Sequence, residues 1–98
     1  MDAAGSMLSR SVTVSNTLGL HARAAARFVH MASRFRSHVT VSRGSQSVDG
    51  KSIMGILLLA AATGTVLTVS TDGDDAQAAL DALCGFIEAG FGEDVCSA

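Results

Sequence analysis

Residues 11–36 read SVTVSNTLGLHARAAARFVHMASRFR, and the spacing of the apolar residues changes within this stretch. Apolar and polar residues alternate over 11–15, which predicts a strand with one buried face, and 16–19 have the composition of a loop. Over 22–36 the apolar residues lie three and four positions apart, as on one face of a helix. That face consists of Ala25, Phe28, Val29, Ala32 and Phe35. The domain is therefore predicted to open with a strand, a loop and a helix.

A hairpin and a short helix are predicted next. Alternating valines predict a strand over 38–42, a turn follows at Arg43-Gly44-Ser45, and 46–48 returns as a short second strand. Ser52 is a favourable N-cap for a helix over the apolar run from Ile53 to Leu59. Because this run is apolar on nearly every side, part of it must be exposed or lie beneath a partner in so small a protein.

The last strand is predicted over 66–70, and a third helix follows it. Residues 72–75 supply caps and favourable negative charge for the start of this helix, and Gly90 is a suitable stop. Its buried face is predicted to consist of Ala76, Ala79, Leu80, Leu83 and Ile87. The element order β-α-β-β-α-β-α predicts an α+β fold, in which helices cover one face of a single sheet.

Length and composition limit the chain to one domain and argue against several classes of protein. The 98 residues are divided into a flexible N-terminal extension over 1–7, one domain over 8–90 and a tail over 91–98. A net charge of −2 argues against a nucleic-acid binder driven by bulk charge. The longest apolar run, 53–62, has 10 residues. This is about half of the ~20 that span a bilayer, so we expect no membrane insertion.

Targeting, cysteine and metal signals are weak. The N-terminus lacks the basic and apolar segments of a secretory signal, which predicts a cytoplasmic protein. Cys84 and Cys96 are too few for a disulfide framework, and a bond between them would be incidental. His30 and His38 have no cysteine or carboxylate at ligand spacing, so we expect no metal site. The sequence has no Walker loop or dinucleotide fingerprint, and we expect no cofactor.

His21 is the strongest candidate for chemistry because it stands where the loop becomes a helix. Free N–H groups and the positive end of the dipole make a helix start favourable for phosphate. Arg23 and Arg27 can add guanidinium donors, and an imidazole can act as a nucleophile near neutral pH. This arrangement suits a histidine that accepts a phosphoryl group. The spacing alone leaves open that His21 only caps the helix.

The segment around Ser52 is the second candidate. Ser52 precedes Ile53 and Met54, whose side chains belong to the apolar run that cannot be wholly buried. A phosphate on Ser52 would place about two negative charges beside that surface. The alternative is a plain N-cap followed by core residues, and the sequence leaves it open.

Over about residues 10–90 the sequence resembles HPr, the histidine-containing phosphocarrier family of the bacterial phosphoenolpyruvate-dependent phosphotransferase system. The resemblance rests on Gly19-Leu20-His21-Ala22-Arg23, Ala25, Phe28-Val29, Lys51-Ser52-Ile53-Met54-Gly55 and Gly73. It implies an open-faced sandwich with a four-stranded antiparallel sheet in the order 1-4-2-3 and three helices on one face. It also implies a monomer that serves as an intermediate in a relay and is not a stand-alone catalyst.

The resemblance also implies roles for individual residues. His21 matches the histidine phosphorylated on Nδ1, Arg23 the arginine that attends its phosphate, and Ser52 the serine modified by an HPr kinase/phosphorylase. The expected partner-docking residues are Leu20, Arg27, Lys51, Ile53 and Met54. The implied partners are Enzyme I as donor and, as acceptors, the A domains of sugar permeases or a nitrogen-type A protein. Ala24 stands where the family usually has proline, which should loosen the helix start.

Two other classes of function remain as alternatives. A non-catalytic regulatory module, controlled by phosphorylation of Ser52, would dock partners through Ile53 and Met54 and would not need His21. A small ligand- or RNA-binding α+β domain is disfavoured, because the four phenylalanines show no surface stacking pattern. The sequence does not separate the sugar-uptake branch from the nitrogen-type branch of the relay.

Overall fold

A computed structural model of the protein describes residues 7–92 and contains, within that range, four strands and three helices. In chain order these are β1 (Met7–Thr13), α1 (Ala22–Ala32), β2 (His38–Arg43), β3 (Gln46–Asp49), α2 (Ile53–Leu58), β4 (Val66–Asp72) and α3 (Ala76–Glu88). The predicted order β-α-β-β-α-β-α is confirmed.

The four strands form one antiparallel sheet in the order β1-β4-β2-β3. The last strand, β4, therefore lies between β1 and β2. Val69 of β4 is paired with Val41 of β2, and Leu67 with Val12 of β1. Because alternate residues of a strand point to opposite faces, this register gathers the apolar side chains on one face. The predicted fold class and strand order are confirmed.

The helices cover the apolar face of the sheet, with α3 packed on β1 and β4 and α1 packed between α2 and α3. The predicted buried face of α3 is confirmed, since all five of its residues are buried. The opposite face of the sheet is rich in hydroxyls, as in the contacts of Ser9 with Ser70 (2.9 Å) and Ser42 with Ser47 (2.8 Å). Within residues 7–92, no helix is long and apolar enough to cross a membrane.

The ends of two elements differ from the sequence prediction. β1 begins at Met7 and ends at Thr13, because its first residues pair with the end of β4. α1 ends at Ala32, four residues earlier than predicted, so that Phe35 lies beyond the helix and is only half-buried. Backbone bonds of the tighter i to i+3 type follow, from Arg34 N–H to Met31 O and from Phe35 N–H to Ala32 O.

One residue of each predicted terminal segment belongs to the folded domain. Met7, assigned to the extension, is the first residue of β1 and is paired with Asp72. Phe91, assigned to the tail, is fully buried and makes an edge-to-face contact with Phe86, with 6.0 Å between ring centroids. Residues 1–6 and 93–98, and with them Cys96, lie outside the described residues.

Asp75 connects the end of the α1 segment to the start of α3. It occupies the N-cap position of α3, but its carboxylate makes no capping hydrogen bond there, so the prediction of a side-chain cap is wrong at this residue. The carboxylate instead accepts from the Ser37 hydroxyl (2.5 Å) and from the N–H groups of Arg36 and Ser37 (2.9 Å each). These bonds hold the chain that leaves α1 against the start of α3.

The same contacts predict a pH dependence of stability. The Ser37 hydroxyl, followed by the Arg36 amide, lowers the pKa of Asp75 from its ordinary value of 3.8 to about 2. A carboxylate with a lowered pKa contributes stability that is complete above the unfolded-state pKa and is lost as the pH falls through the folded-state pKa. We therefore expect Asp75→Asn to lower the Tm at pH 6, with a difference from wild type that shrinks toward pH 2.

The matched control is Asp74→Asn, which removes a charge at the neighbouring exposed position. It should change the Tm little at either pH. A Tm difference between wild type and Asp75→Asn that is the same at pH 6 and pH 2 would contradict the role assigned to the ionised carboxylate.

Candidate functional site

The loop over residues 14–20 carries His21 to the start of α1. Gly19 has a φ of +67°, and a Cβ at this position would lie 2.6 Å from the Ala61 carbonyl oxygen. Only glycine adopts this positive φ readily and has no Cβ to clash with that oxygen. The Leu20 N–H donates to the same Ala61 carbonyl at 2.8 Å. The backbone immediately before His21 is therefore fixed against the segment that follows α2.

His21 is the N-cap of α1, with extended backbone (φ −85°, ψ −179°). Its carbonyl accepts the helical hydrogen bond from Ala25 N–H at 2.8 Å. Its side chain accepts as well, since Nδ1 lies 3.1 Å from the backbone nitrogen of Arg23. His21 therefore does cap the helix. The same contact orients Nδ1 toward the free N–H groups of the first turn.

The arrangement can hold an anion on Nδ1. A group that bonds to Nδ1 displaces the Arg23 N–H from that nitrogen, and the N–H then lies beside the new group as a donor. The first turn of α1, which is fully described, carries no acidic side chain that would repel an anion. His21 is partly exposed, so a protein partner can reach the ring. The site therefore suits transfer of a phosphoryl group between proteins.

The arginines of α1 border an open depression next to this site. Arg23 and Arg27, one helical turn apart, are both exposed and line a cavity of about 670 Å³ together with the loop from Ser15 to Leu18. Glu88, at the end of α3, lies on its other side. His21 is not among the lining residues, so the depression adjoins the arginines and not the imidazole.

Ala24 stands at the third position of α1 and is fully buried. The helix begins at Ala22, and its third position lacks the proline that the resemblance would place at residue 24. The Nδ1 contact of His21 and the carbonyl of His21 supply two of the hydrogen bonds of the first turn. The capping residue therefore organises this helix start.

Three large apolar residues of α2 are exposed. Ile53 is 44% exposed and Met54 71%, as expected for docking residues, and Leu58, one turn from Met54, is 65% exposed. We call Ile53, Met54 and Leu58 the α2 surface. Sequence reasoning did not single out Leu58, although the excess of apolar residues in this run indicated that some of them had to be exposed.

Leu20 does not fit its expected docking role. Only 7% of it is exposed, and it belongs to the hydrophobic core. Its backbone N–H is held by Ala61, which turns the residue inward. Leu18, two residues earlier in the loop, is instead 70% exposed and was missed. A single leucine in a loop gives no periodic pattern from which its direction could be predicted.

Lys51 and Ser52 precede α2 and both make local hydrogen bonds. The Lys51 ammonium donates to the Phe35 carbonyl at 2.8 Å, so part of its role is to join this segment to the end of the α1 region. The Ser52 hydroxyl accepts from Gly55 N–H at 3.1 Å, which confirms the predicted N-cap. Ser52 is partly exposed, so its hydroxyl lies at the protein surface.

The other candidate ligands lie apart. His30 is exposed on α1, and His38 is exposed at the start of β2. Among residues 7–92, no three His, Cys, Asp or Glu side chains are grouped so that they could hold a metal ion. Cys84 is buried in α3, and burial raises the pKa of its thiol, so it is a poor nucleophile.

Comparison with known proteins identifies the family and the fold. The family model described as the PTS HPr component phosphorylation site matches residues 8–89. The phosphocarrier protein HPr of Cupriavidus necator is 51% identical over 87 residues, which cover 89% of this chain and 98% of that protein. The phosphocarrier protein NPr of Shewanella violacea is 42% identical over 86 residues, covering 88% of this chain and 94% of that protein.

A solved structure has the same fold. The crystal structure of HPr-C-His from Thermoanaerobacter tengcongensis has a TM-score of 0.84 and 42% identity, and the match covers 90% of this chain and 99% of that one. The fold and the histidine at the helix start define a phosphocarrier of the histidine type. The chain belongs to the HPr family, the phosphocarrier proteins of the phosphotransferase system.

The Nδ1 contact predicts the tautomer of His21. Because Nδ1 accepts the Arg23 N–H, the neutral imidazole must carry its proton on Nε2. We expect ¹⁵N NMR of the unphosphorylated protein at pH 8 to show the Nε2–H form at His21. The exposed His30 provides an internal reference in the same spectrum. An Nδ1–H form at His21 would contradict the observed hydrogen bond.

Proposed function

We propose that the protein carries a phosphoryl group on Nδ1 of His21, received from phosphorylated Enzyme I and passed to the A domains of sugar permeases or to a nitrogen-type A protein. The observation that carries this proposal is the position of Nδ1 at the start of α1, 3.1 Å from the Arg23 backbone nitrogen. Membership of the HPr family supports the same assignment.

The transfer is a displacement at phosphorus. The Nδ1 lone pair of His21 forms the new N–P bond as the N–P bond to the donor breaks, and the donor nitrogen keeps the electron pair of the broken bond. The proton on Nε2 stays in place, so the ring becomes a phosphorylated imidazolium and the step needs no separate base. The Arg23 N–H and guanidinium can then stabilise negative charge on the phosphoryl oxygens.

The proposed docking region combines apolar and basic residues. The α2 surface supplies apolar area, and Arg23 and Arg27 supply positive charge beside the reactive histidine. Buried apolar contact favours affinity, while charge favours the rate and orientation of the encounter. The NPr relative supports a nitrogen-type acceptor, and the HPr relatives support acceptors in sugar uptake. We further propose that the carrier is a cytoplasmic monomer.

Phosphorylation of Ser52 by an HPr kinase/phosphorylase is a proposed control of this function. Ser52 lies at the surface directly before Ile53 and Met54. A phosphate there would place negative charge beside apolar groups that lose water when a partner docks. The purely regulatory alternative gives no role to the oriented Nδ1 of His21, and we therefore prefer a carrier that Ser52 regulates.

The acceptor is tested by labelling with phosphoenolpyruvate and Enzyme I. Wild type should gain one acid-labile, alkali-stable phosphoryl group, and His21→Ala should gain none. His30→Ala and His38→Ala are the controls and should be labelled as wild type. Label retained in His21→Ala, or lost in either control, would assign the acceptor elsewhere.

Arg23→Ala tests whether the Arg23 guanidinium contributes to the rate of phosphoryl transfer. The side chain is exposed, so its removal should leave the Tm nearly unchanged while phosphorylation by Enzyme I becomes slower. Arg34→Ala, which removes an exposed arginine beyond the end of α1, is the matched control and should have a smaller effect on the rate. A large drop in Tm with an intact transfer rate would show that Arg23 has a structural role.

Ser52→Asp tests the regulatory proposal. The added carboxylate should raise the KM of Enzyme I for this protein because it lies beside the α2 surface, while the Tm stays close to wild type. Since the mimic carries only one charge, its effect should be smaller than that of true phosphate. Ser45→Asp, at the exposed turn of the hairpin, is the control. Unchanged kinetics in both Ser52→Asp and the Ser52-phosphorylated protein would leave Ser52 as a helix cap only.

A further inference from the structure

We propose that Thr63 is a positioning residue for phosphoryl transfer, because it ties the loop that carries His21 to the segment between α2 and β4. The inference rests on the proposed function, since it concerns how His21 is held for the transfer. Sequence reasoning gave Thr63 no role, and it lies outside the motifs of the family resemblance.

The hydroxyl of Thr63 contacts the loop directly. Oγ1 donates toward the carbonyl oxygens of Asn16 and Thr17, the latter at 3.0 Å. A hydroxyl has one proton, so the two carbonyls share it. The Asn16 side chain in turn donates from Nδ2 to the Gly19 carbonyl at 2.8 Å. The Gly19 carbonyl also accepts the backbone N–H of His21 at 3.1 Å. A connected set of hydrogen bonds therefore runs from Thr63 to the backbone of His21.

Backbone contacts place the two segments side by side. Val14 N–H donates to Thr65 O at 2.9 Å, and Gly64 N–H donates to Val14 O at 2.8 Å. At the other end of the loop, Leu20 N–H donates to Ala61 O at 2.8 Å. Between these two backbone attachments, Thr63 adds a side-chain attachment. Without it, the carbonyls of residues 16 and 17 would lose their bond to the facing segment.

The same segment leads directly from α2. The helix ends at Leu58, and Ala60 has a φ of +48°, a conformation that is uncommon for a residue with a Cβ. The chain thereby turns sharply from the α2 surface toward Thr63. The docking helix and the loop that holds His21 are consequently fixed to one short stretch of chain. Thr63 helps to keep the reactive ring in register with the surface on which a partner docks.

The effect should appear in the transfer rate more than in stability. Thr63 is exposed, so replacing its hydroxyl opens no cavity, and water can solvate the two carbonyls that it releases. A reacting atom that is misplaced by about 1 Å can lose roughly 10²-fold in rate. Since the backbone attachments remain, we expect a smaller loss, of about tenfold, when the hydroxyl is removed.

The test compares Thr63→Val, which keeps the shape but has no donor, with Thr63→Ser, which keeps the hydroxyl. Thr68→Val, on the open face of the sheet, is the matched control. We expect Thr63→Val to lower kcat for phosphorylation by Enzyme I by about tenfold with an unchanged KM. Thr63→Ser and Thr68→Val should behave as wild type. Amide exchange at Leu20 should be faster in Thr63→Val and normal in Thr63→Ser.

The outcomes separate the proposed function from the positioning role of Thr63. Absence of phosphorylation of wild-type His21 would overturn the proposed function itself. Normal wild-type phosphorylation with an equal kcat in Thr63→Val would overturn only the positioning role. A rate loss in Thr63→Val that the serine variant does not restore, or that accompanies a large fall in Tm, would also overturn it, because the hydroxyl would then not be the cause.

Discussion

The contact between Nδ1 of His21 and the backbone N–H of Arg23 is the constraint on which the site depends. It satisfies one of the free N–H groups at the start of α1 and at the same time fixes the direction of a ring nitrogen. Capping and nucleophilic chemistry are therefore two uses of the same geometry. In the proposed transfer, an incoming phosphoryl group would replace the capping contact, and the N–H that it releases would remain available to stabilise the product.

The order of strands in the sheet makes this geometry stable. Because β4 pairs with β1, the last residue of β1, Thr13, lies opposite the first residue of β4, Val66. The loop that leaves β1 and the segment that enters β4 consequently lie at the same end of the sheet. Their mutual hydrogen bonds, together with Gly19 packed on Ala61, hold the backbone before His21. The sheet order β1-β4-β2-β3 thus positions His21, the proposed phosphoryl acceptor, although no strand contributes a side chain to the proposed transfer.

Local sequence patterns predicted much of the fold and singled out His21 as the candidate for chemistry. The apolar spacing identified the buried face of α3 and, at Ala25, Phe28 and Ala32, that of α1, and Ser52 was correctly identified as a cap. The resemblance to a family, and not the periodicity, supplied the strand order, since pairing between distant strands leaves no local pattern. The position of His21 at a helix start was visible from residues, whereas the orientation of its Nδ1 required coordinates.

The features that were missed depend on contacts between residues far apart in sequence. Asp75 binds Ser37, beyond the early end of α1, across 38 positions, and the hydroxyl of Thr63 reaches Asn16 across 47 positions. Leu20 was expected at the surface and is buried because Ala61 holds its backbone. In each case the partner lies on another element, so the residue itself gives no sign of the contact.

The central claim is that Nδ1 of His21 is the atom that carries the phosphoryl group. The most direct measurement is ¹⁵N and ³¹P NMR of the ¹⁵N-labelled protein after phosphorylation by Enzyme I. The geometry predicts that the nitrogen coupled to phosphorus is Nδ1 of His21. Coupling of phosphorus to Nε2 of His21, or to a nitrogen of His30 or His38, would contradict the account.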